Sequence, residues 1–182
     1  RANASIAKGR FKDEIVPVEI PQRKGDPLIF DTDECCKDTG LEFLSKMRPA
    51  FKKDGVGTAG NASIISDGAS ALVIMSESKA KELGCKIMAT IGSQGSYGID
   101  MKYVLMAPIY AIPKVLKKQG LSISDIDLFE INEAFSGSSA GINKVLDLDP
   151  EKVNVNGGSV ALGHPIGASG ARVLTTLLYE ME

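Results

Sequence analysis

The chain has 182 residues, 43% of them apolar and 24% charged, with a formal net charge of −2. That balance suits a globular protein with a real core in one or two domains. It argues against nucleic acid or an acidic membrane as a partner drawn by net charge, and no apolar run reaches the length of a membrane span. The three cysteines, Cys35, Cys36 and Cys85, form neither a disulfide framework nor a metal-ligand spacing, so no metal is expected and a reducing compartment is. A cytoplasmic setting follows, with an organelle as the alternative. The sequence opens at Arg1 in mid-pattern with no secretory signal in view, and reads as a piece of a longer protein.

Residues 1–60 are polar and irregular. Pro17 and Pro21 confine any strand between them to a sheet edge, and Pro27 to Asp33 suits a second short strand. Leu41 to Met47 reads as a short helix that stops before Pro49. Gly60-Asn61-Ala62-Ser63 is a turn. Ala69 to Met75 is an almost unbroken apolar run, the pattern of a strand buried on both faces. Ser76 can cap a helix that runs to Leu83, with Gly84 to end it.

A new strand is expected over Lys86 to Ile91, followed by a turn at Gly92, Gly95 and Gly98. Pro108 to Gln119 has helical spacing, stopped by Gly120, although Pro113 would also serve as its start. Asp127 to Ile131 reads as a strand, Ser136 to Leu146 as a helix rich in small residues, Glu151 to Val160 as a strand, and Gly167 to Glu182 as a helix. Alternation of this kind implies a mainly parallel α/β sheet.

The stretch Asn154 to Arg172 carries the only histidine, His164, and five of the nineteen glycines. Pro165 fixes its own φ and pushes His164 out of the α region, so the imidazole sits on a rigid turn. The glycines at 163, 167 and 170 do not make a dinucleotide fingerprint, and no Gly-Lys-Ser/Thr follows to make a phosphate loop. An imidazole can take or give a proton near neutral pH. Asn132 lies at the end of a predicted strand, the edge where open α/β sheets place their sites, and it could equally cap the helix that begins at Ser136. No cysteine has the nearby cation, base or helix N-terminus that makes a reactive thiolate.

The string Asn-Val-Asn-Gly-Gly-Ser-Val-Ala-Leu-Gly-His-Pro-Ile-Gly-Ala-Ser-Gly-Ala-Arg resembles the signature of the thiolases, which make or cleave 3-ketoacyl-coenzyme A. The resemblance extends through Asn132-Glu-Ala-Phe135, Gly60-Asn-Ala-Ser63 and Gly9 to Pro17, and so covers nearly the whole chain. It implies an αβαβα sandwich. Residues 1–60 would be part of the loop domain over coenzyme A, residues 61–84 the last strand and helix of the N-terminal half, and residues 85–182 the C-terminal half without its final strands.

By the same resemblance His164 is a catalytic base and oxyanion donor, and Asn132 fixes the water that completes an oxyanion hole. Ser63 lies near the pantetheine of coenzyme A, although Ile64 and Ile65 stand where many relatives have glycine and leucine. Ala134 and Phe135 wall the pantetheine channel, with plain core as the alternative for Phe135, and Glu133 is structural. Coenzyme A thioesters enter as substrates and no prosthetic group is implied. A homodimer or homotetramer is expected, with no nucleic-acid or membrane partner. The implied activity is that of an acetyl-CoA acetyltransferase working through an acyl-cysteine. The alternatives are a broad-range 3-ketoacyl-CoA thiolase of fatty-acid β-oxidation and a non-catalytic, thiolase-like coenzyme A binding module; either way a role in lipid metabolism is implied. Two cysteine motifs of the family, the nucleophile and a second acid/base, do not occur in Arg1–Glu182 and are expected outside it.

Overall fold

The computed structural model describes residues 1–182. Seven helices carry the structure: α1 (Ala2–Ala7), α2 (Leu41–Ser45), α3 (Glu77–Glu82), α4 (Pro108–Gln119), α5 (Ser136–Leu146), α6 (Ser159–Leu162) and α7 (Ser169–Glu180). A two-stranded antiparallel ribbon joins β1 (Val18–Ile20) to β2 (Leu28–Phe30), with Val18 opposite Phe30 and Ile20 opposite Leu28. Prolines flank β1 as expected for an edge strand, and both edges of the ribbon are open.

The helix ends follow their chemistry. The Ser76 hydroxyl accepts from Lys79 N–H at 3.2 Å and caps α3, and Gly84 takes a positive φ of 64° beyond its end. Gly120 ends α4 in the left-handed region. Pro113 does not start α4. The helix begins at Pro108 and carries Pro113 inside it, at the loss of one amide donor. The α4 side chains also tie down the glycine-rich segment before it, Lys114 and Lys118 donating to the Ser96 and Gln94 carbonyls. Helix α1 lies in a region read from sequence as irregular.

The four strands expected beyond residue 60 do not form a sheet within this chain. Residues 69–75 and 86–91 have no ladder partner, and Val73 is 87% exposed where a strand buried on both faces was predicted. A strand is stable only beside another, and no other segment of residues 1–182 forms a ladder with these two. Residues 127–131 keep one parallel bridge, Phe129 to Val153. The predicted strand 151–160 is instead a 3-10 turn at Pro150–Lys152, an irregular loop, and then the start of α6.

Within that loop Asn154 has φ of 46°, is 4% exposed, and replaces a ladder with its side chain. Its Oδ1 accepts from Ile131 N–H at 2.8 Å and its Nδ2 donates to the Ile131 carbonyl at 2.9 Å. The loop is clamped from its other side by Arg1, which donates to the Pro150 and Val153 carbonyls, and by Ser5, which donates to Asn156 Oδ1 at 3.0 Å. Two small cores flank it. Ala2, Phe11 and Leu162 form one, and Ile142, Leu148 and Val153 the other, packed by Ile109 and Phe129. Replacing Asn154 with Ala strips two half-buried backbone groups of Ile131 of their partners and puts alanine in the left-handed region. The expected loss is about 2–4 kcal/mol, read as a lower urea midpoint. An unchanged midpoint would contradict this account of the loop.

Candidate active site

His164 sits between α6 and α7, on a turn that only glycine could enter. Gly163 has φ of 103°, and a Cβ there would lie 2.5 Å from the Ser66 hydroxyl. The His164 amide donates to the Ile64 carbonyl at 2.9 Å. Pro165 then starts the next turn, its carbonyl accepting from the Ala168 and Ser169 amides at 2.8 and 2.9 Å. The imidazole is half-buried, and its Nδ1 lies 2.6 Å from the Ser169 hydroxyl. Ser169 Oγ also donates to the Pro165 carbonyl at 3.1 Å. The hydroxyl can accept from a protonated Nδ1 while donating to the carbonyl, or donate to a bare Nδ1; either way the contact fixes the ring and leaves Nε2 without a protein partner.

Asn132 does not cap α5, whose N-cap is Phe135. Its Oδ1 instead accepts from the Ser159 hydroxyl at 2.6 Å, and its Nδ2 makes no hydrogen bond within the chain. Beside it, Glu133 faces the start of α6. Its carboxylate accepts from Asn154 Nδ2 at 3.1 Å and from Val160 N–H at 3.3 Å, and a Cβ on Gly158 would collide with it at 2.3 Å.

Ser63 and the segment 134–136 pair through their backbones. Ser63 N–H donates to the Ala134 carbonyl at 3.1 Å, and Ser136 N–H to the Asn61 carbonyl at 2.8 Å. Ala62 and Phe135 thus form an antiparallel bridge. The Phe51 ring meets Phe135 edge-on with centroids 5.8 Å apart. Residues 63 and 64 are therefore the joint of the site. Ser63 holds Ala134, Ile64 holds His164, and α6 links the Ser159 that touches Asn132 to the histidine turn. All five predicted residues, His164, Asn132, Ser63, Ala134 and Phe135, belong to one connected assembly.

Sequence reasoning missed Ser159, Ser169, Arg172 and Phe51. Arg172, 20% exposed at its side chain, donates to Ser159 Oγ at 3.2 Å and stands 4.0 Å from the Glu130 carboxylate, which is 3% exposed. Burial pushes Glu130 up to about 7. The Arg172 charge opposes that shift, while Glu133, Glu14 and Glu180 add to it. Glu14 is likewise raised to about 7 by burial, against a hydrogen bond from Thr176. The cysteines point the other way from reactivity. Burial and then the Asp33 charge push the Cys35 and Cys36 thiols up, where a nucleophile needs its thiolate. No cluster of three or more His, Cys, Asp and Glu is disposed to hold a metal ion.

Comparison with known proteins agrees with the signature. Residues 1–78 match the N-terminal domain of thiolase and residues 85–182 its C-terminal domain. The chain belongs to the thiolase family. It is 56% identical to an acetyl-CoA acetyltransferase of Thiocystis violacea, covering all of this chain and 46% of that protein. The crystal structure of the Bacillus anthracis acetyl-CoA acetyltransferase superimposes with a TM-score of 0.95 at 47% identity, over 99% of this chain and 46% of that one. Human mitochondrial 3-ketoacyl-CoA thiolase, solved in complex with CoA, gives 0.90 at 40% identity, over 99% and 45%. The fold is thus the thiolase α/β fold, and the chain spans about half the length of the curated relatives it matches.

The raised acids set a pH dependence with a definite sign. Glu14 and Glu130 keep protons in the folded protein that the unfolded chain releases above about pH 4.5. Stability therefore falls as pH rises from about 4.5 to about 7 and levels off above that. Glu130→Gln removes its share of the loss. The melting temperature should rise relative to wild type more at pH 8 than at pH 5, and an equal difference at both values would contradict the buried acid.

Proposed function

We propose that this chain is part of a complete thiolase that makes or cleaves acetoacetyl-coenzyme A, transferring an acetyl group through a cysteine. The observation that carries this reading is the His164 ring, held on the Gly163–Pro165 turn with Nδ1 against Ser169 at 2.6 Å and Nε2 without a protein partner. In thiolysis Nε2 takes the proton of an attacking thiol. The sulfur adds to the ketone carbon of the substrate, and the carbonyl oxygen becomes negative. The bond between that carbon and the adjacent methylene then breaks. The methylene fragment takes a proton and leaves as acetyl-coenzyme A, and the acyl-cysteine passes its acetyl group to the sulfur of a second coenzyme A. His164 returns the proton in the reverse, condensing direction.

On this reading Asn132 Nδ2 donates toward a water or an oxyanion, supported by its making no hydrogen bond within the chain. Ser63, Ala134 and Phe135, joined into one surface with Phe51, form the wall proposed for the pantetheine arm. The thiols that react belong, on this reading, to segments outside Arg1–Glu182, in keeping with the raised thiols of Cys35 and Cys36. The second reading is a broad-range 3-ketoacyl-CoA thiolase, favoured by the likeness to the human enzyme of that name. The exposed apolar 3-10 turn Met101–Met106 is where acyl-chain preference would be set. A homodimer or homotetramer in the cytoplasm completes the proposal. The open apolar surface supports association, and the three free thiols support a reducing compartment.

His164→Ala in the complete protein should lower thiolysis of acetoacetyl-coenzyme A by about 10²–10⁴-fold with the circular dichroism spectrum unchanged. Near-normal turnover would remove His164 from the chemistry. Comparable turnover of longer 3-ketoacyl-coenzyme A substrates by the wild type would select the broad-range reading.

A further inference from the structure

We infer that Ser159 is a positioning residue that fixes which end of the Asn132 amide faces the reaction. This rests on the thiolase reading of the site. Ser159 is fully buried, at 0% exposure, and begins α6. A hydroxyl has one hydrogen to give. Arg172 donates to Ser159 Oγ at 3.2 Å, so the serine hydrogen must find its own acceptor, and the acceptor at hand is Asn132 Oδ1 at 2.6 Å. If the amide turned over, its Nδ2 would meet an oxygen already facing the Arg172 donors. The buried serine hydrogen would then have no acceptor, a costly arrangement away from water. One orientation is selected, with Oδ1 on Ser159 and Nδ2 left without a protein acceptor.

The remainder of the frame is built to hold this contact. Gly158 lets the Asn132–Glu133 segment press onto α6, since any Cβ there would meet the Glu133 carboxylate. Glu133 in turn accepts from Val160 N–H and Asn154 Nδ2. Arg172 comes from α7, three residues beyond the Ser169 that holds His164, so the two lie on one helix face. That face sets His164 directly and Asn132 through Ser159.

The test has two arms. In the complete protein, the kcat for thiolysis should fall about 10- to 100-fold in Ser159→Ala, with KM for acetoacetyl-coenzyme A changed less than about twofold. The double variant Ser159→Ala/Asn132→Ala should be no slower than Asn132→Ala alone, because the serine acts only through the amide. An unchanged kcat, an effect confined to KM, or multiplicative losses in the double variant would overturn the inference. The second arm does not need activity. A high-resolution crystal structure of Ser159→Ala should show the Asn132 amide turned or in two orientations, against one in the wild type. A single unchanged orientation would overturn the positioning role even in an active enzyme. A complete wild-type protein with no thiolysis or condensation would overturn the thiolase reading instead, and the crystallographic arm would still decide whether Ser159 orients Asn132.

Discussion

The approach of Glu133 to the bare backbone at Gly158 is the contact on which the site depends. Glu133 follows Asn132, and Gly158 precedes the four-residue helix that leads to His164. When the two segments close on each other, an asparagine amide and an imidazole far apart in the chain are carried by one small rigid body. The Glu133 carboxylate stabilises the junction by accepting an amide from α6 and the side chain of Asn154. A methyl group at 158 would push these segments apart by more than a side-chain adjustment could absorb, because the clash is with a carboxylate held at both oxygens.

Helix α7 supplies the second constraint. Its first turn carries Ser169 against the imidazole, and its next turn brings Arg172 to Ser159. Two hydroxyls thereby touch two functional groups, Ser169 the imidazole and Ser159 the Asn132 amide. Behind them Glu130 and Glu14 both feel the Arg172 guanidinium, and burial raises their affinity for protons by more than that charge lowers it.

Much of this was legible in the residues. Ser76 and Gly84 marked the ends of α3, Pro108 and Gly120 those of α4, and the small-residue run Ser136–Leu146 is α5. A helix satisfies its own backbone, so its signals are local. The strands were not legible in the same way, because a ladder needs a neighbour, and apolar runs such as Ala69–Met75 meet none within this chain. The loop at Asn154 was misread as a strand because alternating Val and Asn mimic period two, while the positive φ and the side-chain bonds of Asn154 leave no periodic trace. In the site, His164 and Asn132 stood out through their motifs. Ser159 and Ser169 resembled the small packing residues around them, and the pairing of Phe51 with Phe135 depends on tertiary contact alone.

On the proposed reading His164 acts as the base and Asn132 as the oxyanion amide of an acyl-cysteine enzyme, with a reacting cysteine other than Cys35, Cys36 or Cys85. The direct measurement is to mix the complete protein with isotopically labelled acetyl-coenzyme A, quench in acid, and locate the acetyl group by peptide mass spectrometry. The account predicts label on one cysteine outside Arg1–Glu182. Label on Cys35, Cys36 or Cys85, or no labelled cysteine at all, would contradict it.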